Sequence, residues 1–236
     1  GQLTMPRLDE PCLTEPAAEI LASRNVEVPG RPSLPVLTDP ALPRVVNPVD
    51  EPLVGIDHPR VAVLGNYLVA GWKHAQEGCQ LRASVADRLY RVADGLPKRW
   101  SLAVFDGWRP LELQAELYDT AYADPNLPPG FFAEPDHDPT TPPPHLTGGA
   151  VDLTLAVDKV PLAPGTGFDD LSALARTDAL EETDGPGRAV RRFLYWSMRD
   201  AGFVVYDGEW WHFEFGTCRW AALTGSTPLF GPTETR

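Results

Sequence analysis

The apolar pattern divides the chain into periodic segments separated by proline breaks. Residues 84–96 (SVADRLYRVADGL) place Val85, Leu89, Val92 and Leu96 on one helical face. That helix closes at Gly95-Leu96-Pro97, since a glycine and a following proline end a helix. Residues 100–105 alternate as a strand, and residues 110–122 read as a helix with Pro110 in its first turn. Residues 150–157 (AVDLTLAV) predict a strand with Asp152, Thr154 and Ala156 on one face and Val151, Leu153 and Leu155 on the other. Residues 186–201 form the clearest amphipathic helix, with Val190, Phe193, Leu194 and Met198 at helical spacing and Gly202 behind them. Residues 203–206 and 210–215 predict two strands around a tight Asp207-Gly208 turn.

Residues 1–59 lack such periods. They hold 11 of the 26 prolines, which forbid a long helix or a central strand there. The expected organisation is a proline-rich arm over 1–59, wrapping the domain or mobile, and one domain over 60–236. A length of 236 residues at 43% hydrophobic composition suits a single core. A second proline-rich stretch, residues 124–144, predicts a loop long enough to border a site, with Asp136-His137-Asp138 as a charged surface turn. Twenty basic residues against 33 acidic give a net charge of −13, which argues against nucleic acid and anionic membrane as partners. With no long apolar run and no basic start before one, the chain reads as cytoplasmic; export stays open, because a cleaved signal would leave no trace. Cys12, Cys79 and Cys218 lack metal-type spacing and are odd in number, which argues against a disulfide framework or a thiolate zinc site.

The candidate chemistry sits in two segments. His145 is followed by Gly148, Gly149 and Asp152, and Glu209 by Trp211 and His212. A lone histidine in an apolar run is more often a hydrogen-bonded core residue than a ligand. Two imidazoles and one carboxylate together can hold a divalent zinc and leave a fourth position for water. His145 lies seven positions before Asp152, an odd spacing that would put them on opposite faces of a continuous strand. The glycine pair supplies the turn or bulge that returns His145 to the Asp152 side. Glu209 and His212 are three apart, so Glu209 is expected at the turn end, bent toward the face of His212, free to act as a base. Nucleophilic serine or cysteine catalysis has no support, because no Gly-x-Ser-x-Gly is present and no cysteine neighbours a histidine in a suitable setting.

The pattern His-x-x-Gly-x-Ala-x-Asp (His145, Gly148, Ala150, Asp152) followed by Glu-x-Trp-His (Glu209, Trp211, His212) resembles the zinc D-alanyl-D-alanine dipeptidases of vancomycin resistance and peptidoglycan recycling. The resemblance runs from about Asn66 to Phe215. It implies an α+β fold, a single domain with a central antiparallel sheet flanked by helices, and one zinc per chain on His145, Asp152 and His212. It further implies a small dipeptide substrate, D-Ala-D-Ala first, with Glu209 as catalytic base and Trp211 at the substrate. The turn Asp106-Gly107-Trp108-Arg109-Pro110 is very similar to the family's Asp-Gly-Tyr-Arg-Pro, and the resemblance makes Arg109 the transition-state stabiliser; without it, an arginine at a strand-to-helix turn is more often a solvated cap or a surface ion pair. Gly165-Thr166-Gly167-Phe168-Asp169 matches the segment whose acid meets the substrate ammonium, which assigns Asp169; on spacing alone it is an N-cap. The chain departs from the family at Pro143, where the usual residue is serine, at Val61-Ala62-Val63 for Tyr-Ala-Thr, and at Asn66-Tyr67-Leu68-Val69 for Asn-Phe-Thr-Gly. Another dipeptide, or an amide or ester in a biosynthetic pathway, is therefore an open alternative substrate. A non-catalytic zinc-holding module is a further alternative that predicts loss of the base or the arginine, and both are present. The sequence does not fix an oligomeric state.

Overall fold

In the computed structural model, which describes residues 6–234, the chain is built around β6 (Ala150–Val157), all eight residues of which are buried. β5 (Trp100–Asp106) runs antiparallel along one edge of β6, with Leu102 opposite Leu155 and Ala103 opposite Thr154. A bulge between Val104 and Asp106 brings Asp106 opposite Asp152. The other edge is shared by two strands. β9 (His212–Glu214) pairs antiparallel with the start of β6 and sets His212 opposite Asp152, while β7 (Val160–Ala163) pairs antiparallel with its end. β8 (Val204–Val205) continues outward from β9. Two strands lie parallel to their neighbours at the margins, β3 (Val61–Val63) on β5 and β1 (Glu15–Pro16) on β7. The result is an α+β fold whose sheet is antiparallel at its centre. A separate antiparallel pair joins β2 (Leu53–Gly55) to β4 (Gln80–Arg82).

The predicted helices form within a residue or two of their expected ends: α3 (Ala83–Gly95), α4 (Leu111–Ala121) and α5 (Pro186–Asp200). In α5 the residues Val190, Phe193, Leu194 and Met198 are buried, and Phe193 packs edge-on against Trp100 at 5.2 Å. Each such side chain contributes roughly 1.5–3 kcal/mol on burial. The short α2 (Asn66–Ala70) fits between Gly65 and Gly71, both left-handed. α6 (Cys218–Thr224) starts on Thr217, whose hydroxyl accepts from Trp220 N at 3.2 Å. Among the described residues no helix is long and apolar enough to cross a membrane.

The hairpin near the C-terminus differs from expectation. Its strands shrink to residues 204–205 and 212–214, and the connection grows to residues 206–211 where one of three residues, 207–209, was expected. The cause is Trp210, which leaves the ladder to enter the core: its backbone N donates to Ala175 O at 3.0 Å and its indole to Thr166 Oγ1 at 2.8 Å.

The proline-rich arm contributes α1 (Ala17–Arg24), which packs on α5 through buried Ala17 and Leu21, in the proline-free gap between Pro16 and Pro29. It then follows the domain surface. Arg31 pairs with Asp200 at 2.8 Å, the Trp196 indole donates to Pro32 O at 2.9 Å, and Val45 N donates to Thr140 O at 3.0 Å. Residues 1–5 and 235–236, the outer ends of the two expected segments, lie outside the described residues.

Candidate active site

Three elements converge where β6 begins. His145 stands in a 3-10 turn (Pro144–Thr147) that ends at Gly148, whose φ of 74° is the left-handed backbone glycine adopts without strain. Gly149 then feeds β6, and a Cβ there would stand 2.5 Å from Phe215 O, so only glycine lets the two strands approach this closely. The glycine pair thus performs the reversal expected of it, and the His145 and Asp152 side chains meet, with Nε2 3.2 Å from Oδ2. His212, directly across from Asp152 in the ladder, places Nδ1 2.9 Å from Asp152 Oδ1. One donor atom from each of His145, Asp152 and His212 lies within 4.8 Å of the other two, and all three residues are buried.

The outer contacts of both imidazoles fit a cation. A carbonyl can only accept, so the 2.8 Å contact between His145 Nδ1 and Gly107 O puts a hydrogen on Nδ1 and turns Nε2 toward Asp152. His212 Nε2 lies 2.6 Å from Glu214 Oε2, which orients its Nδ1 in the same way. Glu214 is fully buried and further held by Thr217 Oγ1 at 2.5 Å and by Arg219. Burial works against ionising these groups, but the ion pairs prevail. Arg219 and His212 hold Glu214 well below the usual carboxylate range, and His145 and His212 do the same for Asp152. For His212, burial opposes the imidazolium and the hydrogen bonds to Asp152 and Glu214 outweigh it, raising it to about 10.

A cleft of about 330 Å³ opens over these groups and is lined by Glu209, Arg109 and Asp169 as well. The loop before His145 forms much of its wall, through Phe131, Phe132 and the Pro142–Pro144 run, and Leu42 of the arm lines it too. Glu209 sits in the turn between β8 and β9, on the side His212 uses; burial pushes its carboxyl up to about 8, with His212 pulling it down and Asp152 pushing it up. Arg109 is 3% exposed and fully engaged: Nε donates to Asp106 Oδ2 at 2.9 Å, Nη1 to Gln114 Oε1 at 2.8 Å, and Nη2 lies 3.7 Å from Asp152 Oδ2. Asp169 is buried in a left-handed conformation (φ 59°), and its Oδ2 accepts from Tyr67 at 2.6 Å.

Trp211 departs from its expected place. It is fully buried and absent from the cleft lining, packing edge-on against Phe168 at 5.7 Å and Trp210 at 5.4 Å. Strand alternation explains this, since 211 and 212 point to opposite sides and His212 takes the cleft. Asp136-His137-Asp138 is a self-bonded turn, with Asp136 accepting from Asp138 N at 2.9 Å and from Thr141 Oγ1 at 2.7 Å. Gln114, Glu214, Thr217 and Arg219 were not singled out in the sequence, and Tyr67 stood out there only as a departure from the family's Asn-Phe-Thr-Gly. Glu214 carried a signal, being two positions from His212 on the same strand face. The others are placed by tertiary contacts alone.

The family model described as D-ala-D-ala dipeptidase matches residues 79–222, which span the Arg109 turn, the His145–Asp152 segment and the Glu209–His212 segment. A D-alanyl-D-alanine dipeptidase of Synechocystis sp. is 31% identical over 176 residues, covering 60% of this chain and 71% of that protein. Among solved structures, the vancomycin-resistance D,D-dipeptidase VanXYg in complex with a D-Ala-D-Ala phosphinate analog shares 22% identity at a TM-score of 0.37, over 63% of this chain and 57% of that one. A mutant of the vancomycin-resistance D,D-pentapeptidase VanY in complex with Zn(II) shares 17% identity at a TM-score of 0.39, over 66% of this chain and 85% of that one. With its site-bearing segments inside a family model that spans more than half of its length, the chain belongs to the D-Ala-D-Ala dipeptidase family of metallopeptidases, M15.

Proposed function

We propose that the protein is a zinc-dependent dipeptidase that hydrolyses a small free dipeptide, D-Ala-D-Ala first among candidates, with one zinc per chain. The observation that carries this reading is the convergence of His145, Asp152 and His212 in a cleft that also presents Glu209, Arg109 and Asp169. A zinc ion held by those three residues supplies Lewis-acid polarisation of the scissile carbonyl and of the attacking water.

The remaining steps belong to the chain. Glu209, in the cleft beside Asp152 and His212, takes the proton of the attacking water and passes it to the leaving amine. Arg109 keeps a full positive charge beside Asp152 and stabilises the oxyanion; its bonds to Asp106 and Gln114 hold the guanidinium in place, so no reorganisation is needed during the reaction. Asp169 receives the substrate ammonium. The non-catalytic alternative loses ground because both the base and the arginine line the cleft.

A second reading keeps the hydrolase and changes the substrate. It is favoured by the wall of Leu42, Phe131, Phe132 and Pro143, which offers apolar surface and, at Pro143, no donor. The test is a panel of D,D, L,D and L,L dipeptides beside N-acetylated and C-amidated analogues, with free amine measured after incubation with zinc-loaded protein. Cleavage of D-Ala-D-Ala with rejection of its N-acetyl form supports the first reading; cleavage of blocked or bulkier compounds alone supports the second.

A further inference from the structure

Tyr67 has no part in the chemistry above, yet it joins two of its groups. It is 4% exposed, and its hydroxyl donates to Asp169 Oδ2 at 2.6 Å. The same oxygen accepts from Arg109 Nη2 at 3.4 Å, and the guanidinium carbon stands 5.3 Å from the Tyr67 ring centroid. Asp169 and Arg109 line the cleft, whereas Tyr67 does not, so it acts through them.

Asp169 needs such support. Its left-handed backbone is uncommon for a residue with a side chain and persists only where the surroundings enforce it. Phe168 before it is stacked on Phe105 at 4.5 Å and leans on the Tyr67 ring at 5.6 Å, so Tyr67 braces both residues. Burial pushes the Asp169 carboxyl well above the usual range, Glu209 and Asp152 push it further, and the Tyr67 hydrogen bond pulls it back toward the ionised form. Among the described residues no other side chain donates to it, and Oδ1 is left for a ligand.

We propose that Tyr67 is a positioning residue that fixes the distance between the ammonium receptor Asp169 and the oxyanion partner Arg109, so that the cleft selects α-amino dipeptides, whose ammonium lies one carbon from the scissile carbonyl. The inference rests on the dipeptidase reading. It predicts rejection of β-alanyl-D-alanine, in which one added methylene spoils the spacing, and it assigns that rejection to the phenol oxygen.

The experiment compares zinc-loaded wild type with Tyr67→Phe, which removes one oxygen and keeps the ring contacts. Tyr67→Phe is expected to keep its zinc, to raise KM for D-Ala-D-Ala about tenfold or more, the scale of a lost hydrogen bond to a charged group, and to change kcat less. Its preference for D-Ala-D-Ala over β-alanyl-D-alanine should shrink. Asp169→Asn, which keeps an acceptor for Tyr67, should raise KM as well, and combining the two substitutions should cost less than the product of their separate effects. Unchanged KM and unchanged α-over-β preference in Tyr67→Phe, or multiplicative effects in the double variant, would overturn the proposal. Calorimetric titration of D-Ala-D-Ala into Glu209→Gln protein, with and without Tyr67→Phe, reads binding independently of turnover. Binding weakened about tenfold sustains the proposal even where wild type proves inactive. Equal binding overturns it alone, and no binding to either protein overturns it together with the dipeptidase reading.

Discussion

At the scale of single residues, the site depends on groups behind the proposed ligands as much as on the ligands themselves. Glu214 accepts from His212 Nε2 and is held in turn by Thr217 and Arg219, so it fixes which imidazole nitrogen faces Asp152. Replacing it as Glu214→Gln should weaken zinc binding about 10- to 100-fold, measured by competition with a chromogenic chelator; unchanged affinity would show that His212 needs no such partner. Arg109→Ala should keep the zinc and lower kcat about 10²-fold, the loss expected for one oxyanion donor. Steady-state rates at saturating dipeptide read this directly, and full activity would remove Arg109 from the reaction. The residues named by motif were legible because histidines, acids and glycines at fixed spacings carry their chemistry in their identity. Tyr67, Gln114 and Arg219 were not, because a tyrosine, a glutamine and an arginine in ordinary helical contexts acquire their roles only from what packs beside them. Trp211 shows the opposite error, since membership of a motif suggested a contact that strand alternation denies it.

At the scale of elements, the site is a matter of register between β6 and β9. Asp152 faces His212 because Ala150 pairs with Glu214 and Val151 with Phe213, and a slip of one residue would turn His212 away. Gly149 protects that register. A methyl there would meet Phe215 O at 2.5 Å and Thr217 Cγ2 at 2.9 Å, atoms of the neighbouring strand and of the helix cap. Gly149→Ala should destabilise the fold by about 1–3 kcal/mol, the usual cost of overpacking, and weaken zinc binding with it. Thermal unfolding with and without zinc measures both, and a variant of wild-type stability would mean that the strands yield more readily than their packing indicates. The helices α3, α4 and α5 were readable because one face of each is apolar at the helical period. The hairpin was readable only in outline: the sequence shows Asp207-Gly208 as a turn, but the pull of Trp210 into the core, which lengthens the connection and presents Glu209, depends on contacts with Ala175 and Thr166 far away in the chain.

At the scale of the whole molecule, the proline-rich arm is bound into the body that carries the site. Leu21 of α1 is 5% exposed and belongs to the main core, while Asp39 and Leu42 reach the cleft. Leu21→Ala should therefore cost about 2–5 kcal/mol, as for other buried leucines, and lower the melting temperature accordingly; an unchanged melting temperature would make the arm peripheral to stability. Prolines announce an extended path in the sequence, but the surface that path follows is set by α5, the loop before His145 and the C-terminal segment. All of these parts bear on one claim, that the convergence of His145, Asp152 and His212 holds a zinc beside which Glu209 serves as the base. The most direct test is zinc content and D-Ala-D-Ala turnover measured together on wild type, His145→Ala, His212→Ala and Glu209→Gln. The account predicts one zinc per chain in wild type and Glu209→Gln, loss of zinc in both histidine variants, and turnover in wild type alone. Turnover by Glu209→Gln at the wild-type rate, or wild-type zinc content in the histidine variants, would contradict it.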